Sequence, residues 1–444
     1  MQKEKMMSLN DTPRAGRLHI GIYGRRNAGK SSLINALTGQ DIALVSDAPG
    51  TTTDPIYKSM ELHPVGPVVF IDTAGFDDEG TLGRLRVERT AGVVDKTDVG
   101  IIVIDNEDLE KAAASSAAAP ADAVLAEEKL WAEKLAEKNV PLIFVLNKCD
   151  EMQAPGEDNS SATAEAGLQD HDRDEVATAA AAIAELAGKW PVIKVSALHK
   201  TGIEELRQAI EQSVPEDFLR EKILGDMVEE GGLVLLVMPQ DIQAPKGRLI
   251  LPQVQTLREL LDRKCTAVAT TADGFERALS ALNRVPDLII TDSQCFGQVY
   301  EKKPAESALT SFSVLFAAYK GDIDKFVSGA SLLDDMTENS RVLIAEACTH
   351  VPLSEDIGRE KIPNLLRKRF GKGIEVVNVC GNDFPSVEEL KGFDLVIHCG
   401  ACMFNRKHVM SRIAAAEAAG VPITNYGVVL AKLTGILDKI ELPG

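Results

Sequence analysis

A glycine-rich run, Gly24-Arg25-Arg26-Asn27-Ala28-Gly29-Lys30-Ser31-Ser32, has the spacing G-x-x-x-x-G-K-S. Glycines let successive backbone N–H groups curl around an anion. A helix opening near Gly29 aims its positive dipole end at the same point. Lys30 is predicted to reach β- and γ-phosphates, and the Ser31 hydroxyl to ligate Mg²⁺. Three downstream words select the base. Asp72-Thr73-Ala74-Gly75 would hold magnesium through water at Asp72 and offer the Gly75 amide to the γ-phosphate. In Asn147-Lys148-Cys149-Asp150, the Asp150 carboxylate accepts from both N1–H and the exocyclic amine of guanine, donors that adenine does not offer together. Ser196-Ala197 would touch guanine O6 through a backbone amide. Each word alone is weak. In this order, each after an apolar run, they specify a GTPase rather than an ATPase.

A second constellation lies far downstream: Cys348-Thr349-His350, then 47 residues (351–397), then His398-Cys399-Gly400-Ala401-Cys402. Three thiolates fit either an Fe–S cluster or zinc. A closed structural zinc site would be Cys₃His. A 4Fe–4S cluster held by three cysteines leaves one iron open to another ligand. His350, His398 and Glu355 are candidates for that position or for a supporting hydrogen bond behind it. His398 precedes Cys399 on a strand, so alternation turns the two side chains opposite ways. Spacing does not choose between the metals. Cys149 sits inside the guanine word, while Cys265, Cys295 and Cys380 lie in or beside apolar runs and read as core.

The elements that must position these groups read as three segments after a flexible N-terminus, residues 1–15. In 16–214, strand-like runs at Leu18–Tyr23, Val68–Ile71, Val99–Ile104, Leu142–Leu146 and Val192–Val195 alternate with helical patterns, which predicts a parallel α/β sheet. Ala112–Ala123 and Glu151–Asp174 read as solvated insertions, the first also as a plain Ala-rich helix end. Segment 215–328 opens on an acidic connector helix, Val214–Glu230. That stretch reads as helix and linker together, and the segment continues with strands at Gly231–Met238, Thr266–Ala269, Leu288–Thr291 and Phe312–Phe316, and helices at Gln253–Arg263 and Gly274–Leu282. Segment 329–444 has strands at Val342–Glu346, Val376–Val379, Leu395–His398 and Val421–Thr424, and helices near Lys361–Arg369, Asn405–Ala418 and Gly427–Leu437. The fold class is α/β: a P-loop domain with a parallel sheet, then two smaller α/β domains. Parallel neighbours at Val342–Glu346 and Leu395–His398 would deliver Cys348 and Cys399 to one sheet edge, with Cys402 at a helix N-terminus whose dipole favours thiolates.

The 444 residues suit about three domains of ordinary size. A net charge of −19 argues against a nucleic-acid backbone or an anionic membrane as partner. Seven cysteines, an odd number in a long chain, are not a disulfide framework. No apolar run reaches the ~18 residues of a membrane span, and Met1–Arg14 lacks the apolar core of a secretory signal. The expected compartment is a reducing cytoplasm.

The words Gly24–Asn35 and Ser46-Asp47-Ala48-Pro49-Gly50-Thr51-Thr52-Thr53-Asp54 resemble the Era/TrmE branch of translation-factor-like GTPases. That resemblance implies that Thr52 closes on magnesium and γ-phosphate. It also implies that Asn27 binds the K⁺ of cation-activated members, which stands where an arginine finger would neutralise charge. The alternative for Asn27 is hydrogen bonding within its loop. Two positions depart from TrmE: Thr53 replaces an arginine, and alignment on Val87-Glu88-Arg89 puts Gly83 where the catalytic glutamate belongs, with Glu79 nearby. Turnover is therefore expected to be slow, with Lys30, Thr52, Asp72 and Gly75 carrying hydrolysis.

A GTPase followed by Cys-x-His and His-Cys-x-x-Cys resembles the FeFe-hydrogenase maturation GTPases, the HydF family. The match runs over all three segments in that family's order: GTPase, dimerisation domain, cluster domain. It implies a homodimeric scaffold whose 4Fe–4S cluster lies beside a site where a diiron precursor is completed, held and passed to apo-hydrogenase. The implied partners are that hydrogenase and two radical-SAM maturases. The rival readings are an Era-type ribosome-assembly GTPase, which usually carries a basic appendage, and a regulatory GTPase with a structural zinc domain.

Overall fold

The computed structural model describes residues 16–39, 55–75, 90–107, 109, 125–150, 183–216, 218, 222–239, 249–293, 295–347, 357–381, 383–401 and 404–443. Backbone contacts divide the chain into two units, Met1–Leu219 and Arg220–Gly444.

The first unit is built on β1 (Leu18–Gly24), β2 (Ile56–Leu62), β3 (Gly66–Asp72), β4 (Val99–Asp105), β5 (Leu142–Asn147) and β6 (Val192–Lys194). Their order across the sheet is β2-β3-β1-β4-β5-β6. All neighbours pair in parallel except β2, which runs antiparallel to β3. A parallel sheet must be covered on both faces, and its strands are therefore apolar at successive positions. The side chains still alternate: Ile20, Ile22, Ile101, Val103, Ile143 and Val145 pack into one core, and Tyr23, Ile102, Ile104, Phe144 and Leu146 into the other. The helices Lys30–Thr38, Ala126–Glu137 and Ile203–Gln212 contribute to these layers. β2 escaped the sequence reading because it is a half-exposed edge strand, IYKSMEL, without a continuous apolar run.

The second unit holds two four-stranded parallel sheets. One has the order β10-β9-β7-β8, from β7 (Leu233–Val237), β8 (Thr266–Thr270), β9 (Leu288–Thr291) and β10 (Ala308–Ser311). The other has the order β12-β11-β13-β14, from β11 (Arg341–Glu346), β12 (Glu375–Cys380), β13 (Leu395–His398) and β14 (Ile423–Asn425). The fold class expected from sequence, a P-loop α/β domain followed by further α/β sheets, is the one found.

Two elements differ from expectation. Phe312–Phe316, read as a strand, is the start of a helix, Phe312–Lys320. The strand is β10 just before it, and the Ser311 hydroxyl caps the helix by accepting from Val314 N at 3.3 Å. Phe312, Val314, Leu315, Phe316 and Ala317 are all buried, so no polar face marks the helical period. Of the connector helix and linker expected over Val214–Glu230, residues 222–230 run as bends and turns and not as helix. Ile223 and Leu224 bury in the core, and their N–H groups are taken by the Glu259 carboxylate at 2.6 and 3.2 Å. Ala112–Ala123 and Glu151–Asp174 lie outside the described residues.

The helix Ile323–Ser331, which contains Ser328, packs on β14. A Cβ at Gly329 would meet Ile423 O at 2.1 Å, a backbone atom that cannot turn aside. Gly329→Ala is expected to destabilise this unit by about 1–3 kcal/mol through forced backbone movement. Gly297→Ala, whose methyl meets nothing within 4 Å, is expected to be neutral or to stabilise by roughly 0.5–1 kcal/mol. Calorimetric melts of both variants check the sign of each.

Candidate functional site

The carboxyl ends of β1, β3, β4 and β5 lie along one edge of the first sheet. There the P-loop leaves β1 and enters the helix Lys30–Thr38. Asn27 (φ 62°) and Gly29 (φ 87°) are left-handed, the curl that turns backbone amides inward. Gly29 is required twice over, since a Cβ would also meet Asn147 Nδ2 at 2.1 Å. Lys30 Nζ donates to Gly24 O at 2.9 Å and Arg25 O at 2.7 Å, so it spans the loop it serves. Ser31 Oγ donates to Asp72 Oδ2 at 2.6 Å, which brings both proposed magnesium-holding groups together. Gly75 follows Asp72 at the same edge.

The base end is organised by Asn147. Its Nδ2 donates to Ala28 O at 3.0 Å, and its Oδ1 accepts from Ala197 N at 3.1 Å. One amide thus ties the P-loop to the Ser196-Ala197 turn. Ser196 Oγ donates to Asp150 Oδ1 and accepts from His199 N at 3.1 Å, which fixes the carboxylate meant for guanine. A cavity of about 480 Å³ is lined by Gly29, Ser32, Asn147, Lys148, Asp150, Ala197 and Leu198, among others. Every described residue assigned to the nucleotide therefore gathers at one edge.

Two participants were missed in the sequence. Asp105, at the end of β4, pairs with Lys148 Nζ; the signal was an aspartate closing the run Val99–Ile104. Glu128, only 2% exposed, grips the Arg25 guanidinium through both oxygens at 2.7 and 3.1 Å. A charge buried to that degree needs its partner, so the P-loop is anchored to the helix Ala126–Glu137. No sequence signal marked that pair.

The cysteine constellation is described at Cys399 and His398. Cys348, His350, Glu355 and Cys402, like Thr52 in the first unit, lie outside the described residues. Cys399 is buried beyond the end of β13, where its N–H extends the ladder to Ala345 O at 2.9 Å. Its Sγ accepts from Ala347 N at 3.1 Å and Ala401 N at 3.4 Å. Ala401 reaches that position with φ 46°. Two amides converging on one sulfur suit a thiolate, because hydrogen bonds to the charged form favour it. The donor set at Cys399 therefore fits a metal-ligating cysteine.

His398 is buried, with Nδ1 2.7 Å from Cys399 O and Nε2 3.1 Å from Arg412 Nη1. Burial, and then the Arg412 charge, push its pKa down to about 3, so the ring is neutral. Of the two roles considered for His398, ligand or support, both nitrogens are committed to support. Cys265 is buried in the core as expected, with Cys149, Cys295 and Cys380 half-buried. Among the described residues, no three His, Cys, Asp or Glu side chains converge as a metal site.

Asp150→Asn is expected to weaken GTP binding and erase preference over ATP. An amide replaces a two-fold acceptor and leaves a guanine donor unpaired, at about 1–3 kcal/mol or roughly 5- to 150-fold in Kd. Titration with both nucleotides reads the change.

Residues 19–148 match a family model described as 50S ribosome-binding GTPase. GTPase Der of Wolinella succinogenes is 36% identical over 108 residues, 24% of this chain and 22% of that protein. The tRNA modification GTPase MnmE of Laribacter hongkongensis is 38% identical over 134 residues, 30% of this chain and 26% of that protein. The chain thus spans about a quarter of the length of these curated relatives. Era of Aquifex aeolicus, crystallised with GDP·AlF₄⁻, aligns at a TM-score of 0.32 and 16% identity, over 60% of this chain and 98% of that one. Downstream, residues 223–321 match the hydrogen maturase F dimerization domain, and residues 324–442 match the hydrogen maturase F tetramerization domain. With a GTPase domain ahead of both maturase domains in that order, the chain belongs to the hydrogen maturase F (HydF) family.

Proposed function

We propose that the chain is a slow GTPase and scaffold. In this reading it carries a 4Fe–4S cluster, holds a diiron precursor as cargo and delivers it to apo FeFe-hydrogenase. The carrying observation is the Cys399 sulfur, gripped by two backbone amides at the carboxyl edge of a parallel sheet in a chain whose other unit is a P-loop site. Cys348, Cys399 and Cys402 would hold the cluster, with His350 or Glu355 at the remaining position. Such a cluster, when bound, supplies an iron at which cargo can attach. The chain's own residues do the rest. Lys30 and the loop amides bind phosphate, Ser31 and Asp72 hold Mg²⁺, Thr52 closes on it, and Asp150 reads guanine.

Oligomerisation is supported by the dimerization and tetramerization matches, and a homodimer is the proposed minimum. The two radical-SAM maturases and the hydrogenase are the proposed partners. Among the described residues no helix is long and apolar enough to cross a membrane; a cytoplasmic location is part of the proposal. The two rivals are less well supported. The maturase-domain matches after the GTPase speak against an Era-type ribosome role. A structural Cys₃His zinc site using His398 would have to break a buried hydrogen bond at one of its nitrogens.

Two outcomes test this reading. Potassium is expected to raise GTP hydrolysis over sodium at equal ionic strength, with Asn27→Ala narrowing the difference; equal rates in both salts would leave Asn27 a loop residue. Cys348→Ser, Cys399→Ser and Cys402→Ser are each expected to lose iron from anaerobically prepared protein and to fail in hydrogenase maturation, because a serine oxygen is a hard, poorly matched donor. GTP hydrolysis should persist in all three, since its residues belong to the other unit. Zinc without iron on metal analysis would overturn the cluster assignment.

A further inference from the structure

The geometry points to Arg412 as a positioning residue of the cysteine loop, acting through His398, with His398 a support for Cys399 and not a metal ligand. The inference rests on the cluster reading above and says how this chain holds one arm of it.

The hydrogen-bond chemistry sets the imidazole from both sides. Nδ1 faces the Cys399 carbonyl oxygen at 2.7 Å. A carbonyl only accepts, so Nδ1 carries the proton. Nε2 then holds the lone pair, and it lies 3.1 Å from Arg412 Nη1. A guanidinium only donates, so the two assignments agree. Binding a metal through either nitrogen would cost a buried hydrogen bond.

Arg412 is 4% exposed on the helix Arg406–Ala419, which follows the cysteine loop. Its Nη2 donates to Gly381 O, just past β12, and its guanidinium lies 4.8 Å from the centre of the Phe384 ring. One side chain therefore ties the ends of β12 and β13 to that helix. The Cys399 carbonyl takes a second donor, Asn425 Nδ2, at 3.2 Å from the end of β14. With Ala347 N on the sulfur from just past β11, Cys399 is held directly from the ends of β11 and β14 and, through His398 and Arg412, from the end of β12. Hydrogen-bonded partners behind a ligand set its orientation, and a nearby cation favours the more anionic, reduced form of a cluster.

The test uses full-length protein, reconstituted anaerobically with iron and sulfide, as wild type, Arg412→Gln, Arg412→Lys and His398→Asn. Iron content, chelator-challenge kinetics, midpoint potential and nitrogen hyperfine couplings of the reduced cluster are measured. Arg412→Gln is expected to lower the midpoint potential and weaken iron retention about 10- to 100-fold. Arg412→Lys, which keeps the charge, should restore most of the potential. His398→Asn should retain iron with unchanged nitrogen couplings, because Asn Nδ2 donates where His Nδ1 did. Loss of a nitrogen coupling in His398→Asn would make His398 a ligand and overturn the inference. So would an unchanged potential and iron retention in Arg412→Gln. If Arg412→Gln fails to fold by thermal melt, the His398→Asn spectra decide alone. A wild-type chain that takes up no iron would refute the cluster reading itself, an outcome separate from normal wild-type iron with indifferent variants.

Discussion

Parallel pairing in register is the constraint on which both sites depend. In the first unit β1 lies between β3 and β4, with Ile22 opposite Asp72 and Gly24 opposite Val103. β4 and β5 end together, Asp105 opposite Asn147. Because the strands run one way, their carboxyl ends share an edge, and the loops carrying phosphate, magnesium and guanine chemistry open there together. A slip of one residue would turn every alternating side chain to the wrong face. The buried Ile and Val side chains that cover both faces therefore also hold Ser31 within reach of Asp72.

The same device recurs at β11 and β13. Ala345 pairs with His398, and the ladder continues one step further to Cys399 N. That extra step places the Cys399 sulfur beneath Ala347 N. In each unit, buried polar side chains then fix the loops on which the predicted binding residues sit. Asn147 bridges the P-loop to Ala197, Glu128 anchors Arg25, and Asp105 holds Lys148. On the other sheet His398 and Asn425 converge on the Cys399 carbonyl, and Arg412 backs His398 from its other nitrogen. Polar groups at such depth cost free energy unless hydrogen-bonded, which is why each of these supporting side chains meets a partner.

The two sites differ in what their scaffolds offer an anion. The P-loop presents amides, a helix N-terminus and a lysine to a soluble, multiply charged phosphate. The cysteine loop presents amides to a single sulfur, in a setting that is mostly apolar. A thiolate so held is a soft donor, in contrast to the hard oxygens that phosphate presents. Backbone donors are common to both because their direction is set by the fold and not by a rotamer.

The motif words and their order were legible in the chain because phosphate and guanine chemistry demands particular residue types at short spacing. Most strands were legible too, as long apolar runs between helical patterns. The sequence alone thus determined a GTP site, an α/β class and a cysteine set consistent with either of two metals. Tertiary structure decided what depends on distant partners. Phe312–Phe316 reads as a strand because burial around the whole helix hides its period, and β2 is invisible until β3 pairs with it. Glu128 and Arg412 look like ordinary surface charges in a helical pattern. Their roles come from Arg25, 103 residues away, and His398, 14 residues away. A single sequence records spacing along the chain, whereas desolvation and hydrogen-bond direction exist only once the strands have assembled. His398 shows the difference most directly: beside Cys399 in sequence its ring nitrogens have no evident partners, and only the folded sheet brings the Cys399 carbonyl and the Arg412 guanidinium to them.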